Sequence, residues 1–211
     1  MDIAWRQVFI AFMAGIIIQS SGLHNQELSK VLGDNQTNGN FTKTLEINQT
    51  VDFGIEPLDE EKVEELVHQK INEERTQRGL SKLDYSEKLE NIADKHSKDM
   101  AEDNYFAHTS PSGQNMADRY KQANYICSID TGAVIQQGAE NIAQTWYQEP
   151  ISTESGTVLH ENEEDVAEGL VTQWMNSPGH RKNILKPYWN NEGIGIYVTE
   201  DDEVFATQNF C

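Results

Sequence analysis

The apolar period of this chain changes near its C-terminus, and that change constrains the fold more than any other feature. Three earlier stretches repeat at helical spacing. In 59–78, Val63, Leu66, Val67 and Ile71 share one face. Asp59, Glu60 and Glu61 suit the positive end of a helix dipole, and Gly79 ends the helix. In about 86–102, Leu89, Ile92, Ala93, His96 and Met100 form a stripe, and Asp84 with Glu87 has capping-box spacing. In about 163–177, Val166, Leu170, Val171 and Trp174 repeat after the acidic turn Glu163-Glu164-Asp165, and Pro178-Gly179 stops the helix. The pattern then alternates. Residues 193–198 and 204–210 read as two strands joined by the acidic turn 199–203. Helices first and strands last predict an α+β domain with an antiparallel sheet.

The 211 residues suit one domain with appendages. Residues 8–18, VFIAFMAGIII, are an apolar run of 11, the length of a signal-peptide core and short for a membrane span. Residues 1–22 are therefore read as a signal peptide or a retained signal anchor, and the protein as secreted or anchored at the cell surface. If the segment is kept, residues 8–18 are its membrane contact. Residues 23–56 are polar and aperiodic, a flexible linker. They contain all three glycosylation sequons, at Asn35, Asn40 and Asn48. The globular domain is expected over 57–211. Its two cysteines, Cys127 and Cys211, have one possible intramolecular pairing, and an oxidising compartment would close it.

The net charge is −19, and residues 57–211 alone carry 29 acidic against 13 basic side chains. Such a field repels nucleic acid and anionic lipid and favours neutral or cationic partners and divalent metal ions. No G-x-S-x-G, H-E-x-x-H, phosphate loop or dinucleotide fingerprint is present.

Three short motifs carry the remaining chemistry: FAHTSP (106–111), GAENIA (138–143) and WMNSPGHRKNIL (174–185). With INEERTQRGLSKL (71–83), IADKHSKDMAEDNYFAHTSPSG (92–113) and the closing GIGIYV and FATQNF, they resemble, in order, the CAP superfamily: the cysteine-rich secretory, antigen 5 and pathogenesis-related-1 proteins, in their microbial branch. The resemblance spans roughly 60–210. It implies a three-layer α-β-α sandwich with a central antiparallel sheet and a cleft that gathers His108, Glu140 and His180. A fourth cleft position, commonly glutamate in that family, is Ser177 here. This departure puts any two-acid mechanism in doubt.

Two imidazoles and a carboxylate can hold zinc or another divalent metal, with the carboxylate as third ligand or as acid/base. They can equally form a hydrogen-bonded network that fixes the loops. With the signal-peptide pattern the resemblance points to an exported binding module, taking a divalent metal, a small apolar ligand, a lipid or a cell-surface ligand; the acidic charge argues against a nucleic-acid partner. The alternative is a secreted metal-assisted hydrolase or peptidase using the same cleft. His96 is expected as a core histidine, and His24 and His68 as solvent-facing. His160, in the acidic stretch 160–165, is expected on a solvated turn; that stretch lacks the spacing of a calcium loop. Residues 144–162 form an enlarged loop. Its Trp146, Tyr147, Ile151, Val158 and Leu159 either pack onto the domain or rim the cleft.

Overall fold

The computed structural model describes residues 57–153 and 156–211. The N-terminal segment 1–22, the linker, its sequons and His24 lie outside them. Among the described residues, no helix is long and apolar enough to cross a membrane.

Helix α1 (Glu60–Gln77) begins where Asp59 accepts a hydrogen bond from the Lys62 backbone N–H at 3.1 Å. It buries Val63, Val67 and Ile71 and ends before Gly79, whose φ of +74° a side chain would strain. A two-residue strand, β1 (Asp84–Tyr85), precedes α2 (Glu87–Glu102). The N-cap of α2 is Ser86, which makes no side-chain cap bond. The expected Asp84–Glu87 capping box is absent, because Asp84 is drawn into β1. Then come α3 (Met116–Gln122), β2 (Ile129–Asp130), β3 (Ile135–Gln136), β4 (Ala139–Trp146), β5 (Ile151–Thr153) and β6 (Gly156–Val158). Helix α4 (Glu163–Asn176) is followed directly by α5 (Pro178–Ile184), and the chain closes with β7 (Asn191–Val198) and β8 (Glu203–Phe210). Pro178 thus starts a helix as well as ending one: its missing N–H costs nothing in a first turn.

The main sheet has the order β1-β7-β8-β4. Its three long strands pair antiparallel, while β1 joins β7 in parallel, so the sheet is mixed at one edge. Helix α2 covers one face; α1 and α4 cover the other, packed against each other. The alternation in β7 explains this. Gly193 and Gly195 face α2 so closely that an added Cβ would lie 2.1 Å from the backbone N of Glu90 and of Asp94 respectively. Ile194 and Ile196 fill the other face. The α-β-α sandwich is therefore present. Trp174, Trp189 and Phe210 are fully buried in its main core.

Cys127 and Cys211 form a disulfide with Cα atoms 5.5 Å apart across 84 residues. Closing a loop of that length removes about 4 to 5 kcal/mol of unfolded-chain entropy. The loop after β4 is packed down at its ends, at Tyr147 and His160, while Val158 and Leu159 stay exposed. Its β5–β6 hairpin is clasped by Gln148 N–H to the His160 carbonyl at 2.8 Å, and Tyr147 is buried. His160 is also buried, with Nδ1 3.1 Å from the Trp146 carbonyl and its ring over Gly169. It is a packed fastener of the hairpin, which corrects the expectation of a solvated turn.

Candidate functional site

His108 sits in the loop between α2 and α3, Glu140 is the second residue of β4, and His180 lies in the first turn of α5. Strand β4 is a sheet edge, so residues from both layers can meet there. Glu140 faces the α2 side, while Asn141 points to the opposite face and reaches α5. Gly138, at the head of the strand, has φ +108°, and a Cβ there would meet the Tyr120 ring at 2.8 Å.

The structure brings the three predicted residues together. His108 Nδ1 lies 2.9 Å from Glu140 Oε1, and the His108 and His180 ring centroids are 6.5 Å apart. The His108 side chain is about half exposed, at 53%, and His180 is half-buried. Ser177 is the corner residue between α4 and α5, three positions before His180, and its side chain makes no cap bond.

A residue missed in the sequence organises this site. Arg119, on α3, donates through Nη2 to both Glu140 oxygens, at 2.9 and 2.7 Å, and to the His108 carbonyl at 3.1 Å. Its Nη1 donates to the Gln114 carbonyl at 3.2 Å. One buried guanidinium therefore holds the carboxylate and the loop that carries the imidazole. Arg119 stands on a short polar helix with no apolar period, so no sequence signal marks it. Burial alone would raise the Glu140 pKa. The hydrogen bond from His108 and the charge of Arg119 outweigh it, and the carboxyl is held below its usual range.

His96 is a core histidine as expected, but it also borders this site. Its ring is buried, with Nε2 3.8 Å from Glu140 Oε1 and without a hydrogen-bond partner. Burial pushes its pKa down to about 4, so it is neutral at physiological pH. His180 is lowered too, by burial first and then by His108, and its Nδ1 is enclosed with no partner. Glu140 accepts from His108 and Arg119, and its side chain is almost fully buried. Among the described residues, no group of three or more His, Cys, Asp or Glu is placed to hold a metal ion.

His68 departs from expectation. It is only part-exposed, its Nδ1 lies 2.6 Å from Glu192 Oε1, and its ring meets Tyr85 edge-on at 5.0 Å. The cause is Glu192, fully buried at the start of β7. A signal for it existed. Alternation along residues 192–196 puts Glu192 on the same inward face as Ile194 and Ile196.

Comparison with known proteins agrees with this architecture. The model of the cysteine-rich secretory protein family matches residues 68–210. YkwD of Bacillus subtilis is 34% identical over 149 residues, covering 71% of this chain and 46% of that protein. The membrane protein YlbC of the same organism is 31% identical over 136 residues, 64% of this chain and 30% of that one. The chain thus spans less than half the length of these curated relatives. An extracellular Bacillus anthracis protein containing an SCP domain superposes with a TM-score of 0.52 at 28% identity, over 74% of this chain and 44% of that one. An outer surface protein of Borrelia burgdorferi shares the fold at 19% identity and TM-score 0.55, over 72% and 94% of the two chains. By the family match over most of its length, this chain belongs to the cysteine-rich secretory protein (CAP) family, in its bacterial form.

Proposed function

We propose that this chain is a binding module of an extracellular or cell-surface protein, and that its cleft takes a zinc-class divalent ion between His108 and His180. The carrying observation is the Arg119–Glu140–His108 chain. A carboxylate fixed by Arg119 accepts from His108 Nδ1, which leaves Nε2 as the free lone pair. This is how an outer carboxylate orients a ligating imidazole and raises its basicity. Two imidazoles sharing one ion at about 2.1 Å per Zn–N bond would bring their ring centroids to roughly 5 to 6 Å. The 6.5 Å separation asks for a small inward turn of the exposed His108 ring. Glu140 serves here as an orienting partner, and two protein ligands make the site weak and reversible. The acidic field of the domain adds a general attraction for cations.

The export signal read in residues 8–18, the disulfide and the extracellular Bacillus anthracis relative support the placement outside the cell. The hydrolase alternative needs Glu140 as a third ligand or a base. With its pKa lowered Glu140 is a weak base, and as a ligand it would have to compete with the buried Arg119 guanidinium for its charge. Calorimetric zinc titration of the purified chain, with His108→Ala and His180→Ala as controls, tests the proposal. Heat of binding that each substitution abolishes is expected. Equal binding in native and substituted proteins, or none in the native protein, would overturn it.

A further inference from the structure

A second polar chain reaches the cleft from the far side of the sheet. His68 on α1 contacts Glu192 Oε1 at 2.6 Å. Gln208 on β8 donates through Nε2 to Glu192 Oε2 at 2.7 Å. Asn141 on β4 donates through Nδ2 to Gln208 Oε1 at 2.9 Å and to the His180 carbonyl at 3.3 Å. Asn183 on α5 donates through Nδ2 to Asn141 Oδ1 at 3.0 Å and to the Glu140 carbonyl at 3.3 Å. Glu192, Asn141 and Gln208 are all buried. The path crosses three strands and ends on the backbones of two cleft residues.

The donor–acceptor sense of this chain is forced from one end. Asn72 is locked by the Leu83 backbone: its Oδ1 accepts from Leu83 N–H at 2.7 Å and its Nδ2 donates to the Leu83 carbonyl at 3.1 Å. Its second amide proton therefore points at His68 Nε2, 3.2 Å away. Nε2 must accept, so a neutral His68 carries its proton on Nδ1 and donates to Glu192. A carboxylate is acceptor-only, so Gln208 must present its amide nitrogen to Glu192 and its oxygen to Asn141. Asn141 must then present nitrogen to Gln208 and to His180, and oxygen to Asn183.

Resting on the reading of the cleft as the binding site, we propose that Glu192, with His68 as its outer partner, is the positioning residue of that cleft. Its carboxylate imposes one polarity on Gln208, Asn141 and Asn183, and so fixes the carbonyls of His180 and Glu140. An amide at position 192 would accept from His68 through its oxygen and turn its nitrogen to Gln208, the reverse of the native sense. The downstream amides would then interchange, and the α5 turn bearing His180 would lose its single setting. Buried networks of this kind specify one arrangement only while every member is satisfied.

The test uses the full chain carrying Glu192→Gln. Gln208→Met is a second cut that leaves the His68–Glu192 contact in place. Ser97→Ala, whose hydroxyl bonds Thr207 and the Gly195 carbonyl on the α2 face, is the control. Without metal, NMR reads hydrogen exchange of the Asn141 and Asn183 side-chain amides and the ring-nitrogen shifts of His180. Both cuts should speed that exchange and move the His180 signals, and Ser97→Ala should do neither. With zinc, both cuts should weaken binding by a few-fold, less than the roughly ten-fold or more lost when a direct partner of a ligating ring is removed, because they act through the His180 backbone. Native-like amide exchange and His180 signals in folded Gln208→Met would overturn the proposal, and this variant decides alone if Glu192→Gln does not fold. Absence of zinc binding by the native chain would count against the cleft reading, while the metal-free readings still decide the positioning role.

Discussion

Arg119 grips Glu140 through a single nitrogen: Nη2 lies 2.9 Å from Oε1 and 2.7 Å from Oε2, with both side chains almost fully buried. The pair ties α3 to the edge strand β4, and through the His108 carbonyl it also ties down the first histidine loop. Removing one partner of a buried pair strands the other charge without solvent.

Arg119→Met should therefore destabilise the fold by about 3 to 5 kcal/mol. The double variant Arg119→Met/Glu140→Gln should recover much of that, because no uncompensated charge remains. Urea unfolding of the native protein, both single variants and the double variant completes the cycle. A loss below about 1 kcal/mol, the range of exposed pairs, would show that the pair is solvated in solution.

A second prediction concerns Glu64 and Asp94, which face each other from α1 and α2. Glu64 is buried and accepts from the Ile196 backbone N–H at 3.0 Å. Asp94 Oδ1 is enclosed with no partner. Burial, then the neighbouring acids, pushes Glu64 up to about 8, and burial raises Asp94 as well. A carboxyl whose pKa rises on folding binds its proton more tightly in the folded state. Its contribution is fully present below the unfolded value near 4.5 and is lost as pH climbs through about 8. The melting temperature should fall across that window. Glu64→Gln should flatten the slope, raising the melting temperature by several degrees at pH 8 and changing it little at pH 4. Parallel pH profiles for native and variant proteins would contradict this assignment.

The third prediction is steric. An alanine Cβ at Gly195 would sit 2.1 Å from Asp94 N and 2.3 Å from Ala93 C, both backbone atoms of α2. The helix would have to lift from the sheet, so Gly195→Ala should cost about 3 kcal/mol or more. Gly179, in α5, has nothing within 4 Å of a built Cβ and no positive φ. Gly179→Ala should be neutral, or stabilising by up to about 1 kcal/mol through helix propensity. Paired denaturation curves check both, and equal effects at the two glycines would refute the close contact between α2 and β7.

Periodicity and end signals were enough to read α1, α2, α4, β7 and β8, because each buries one face whose spacing is written into neighbouring residues. Val63, Val67 and Ile71 repeat as a helix whatever they later touch, and the Gly193–Gly195 alternation belongs to a strand. The ordered motifs also marked His108, Glu140 and His180, which the structure gathers at the β4 edge. Short elements escaped: α3 has seven residues and two buried positions, too few to set a period.

Only the tertiary structure decided what those side chains do. Whether Glu140 faces an ion or a guanidinium depends on where Arg119 arrives, and Arg119 is 21 residues away in sequence. His68 was expected in solvent and His160 on a turn; each instead meets a partner brought from elsewhere, Glu192 across 124 residues and the Trp146 carbonyl across 14. Local spacing records which face of an element is apolar, because that is a property of consecutive residues. Hydrogen bonds, ion pairs and burial of single polar groups are set by long-range packing, which leaves no periodic trace in the sequence.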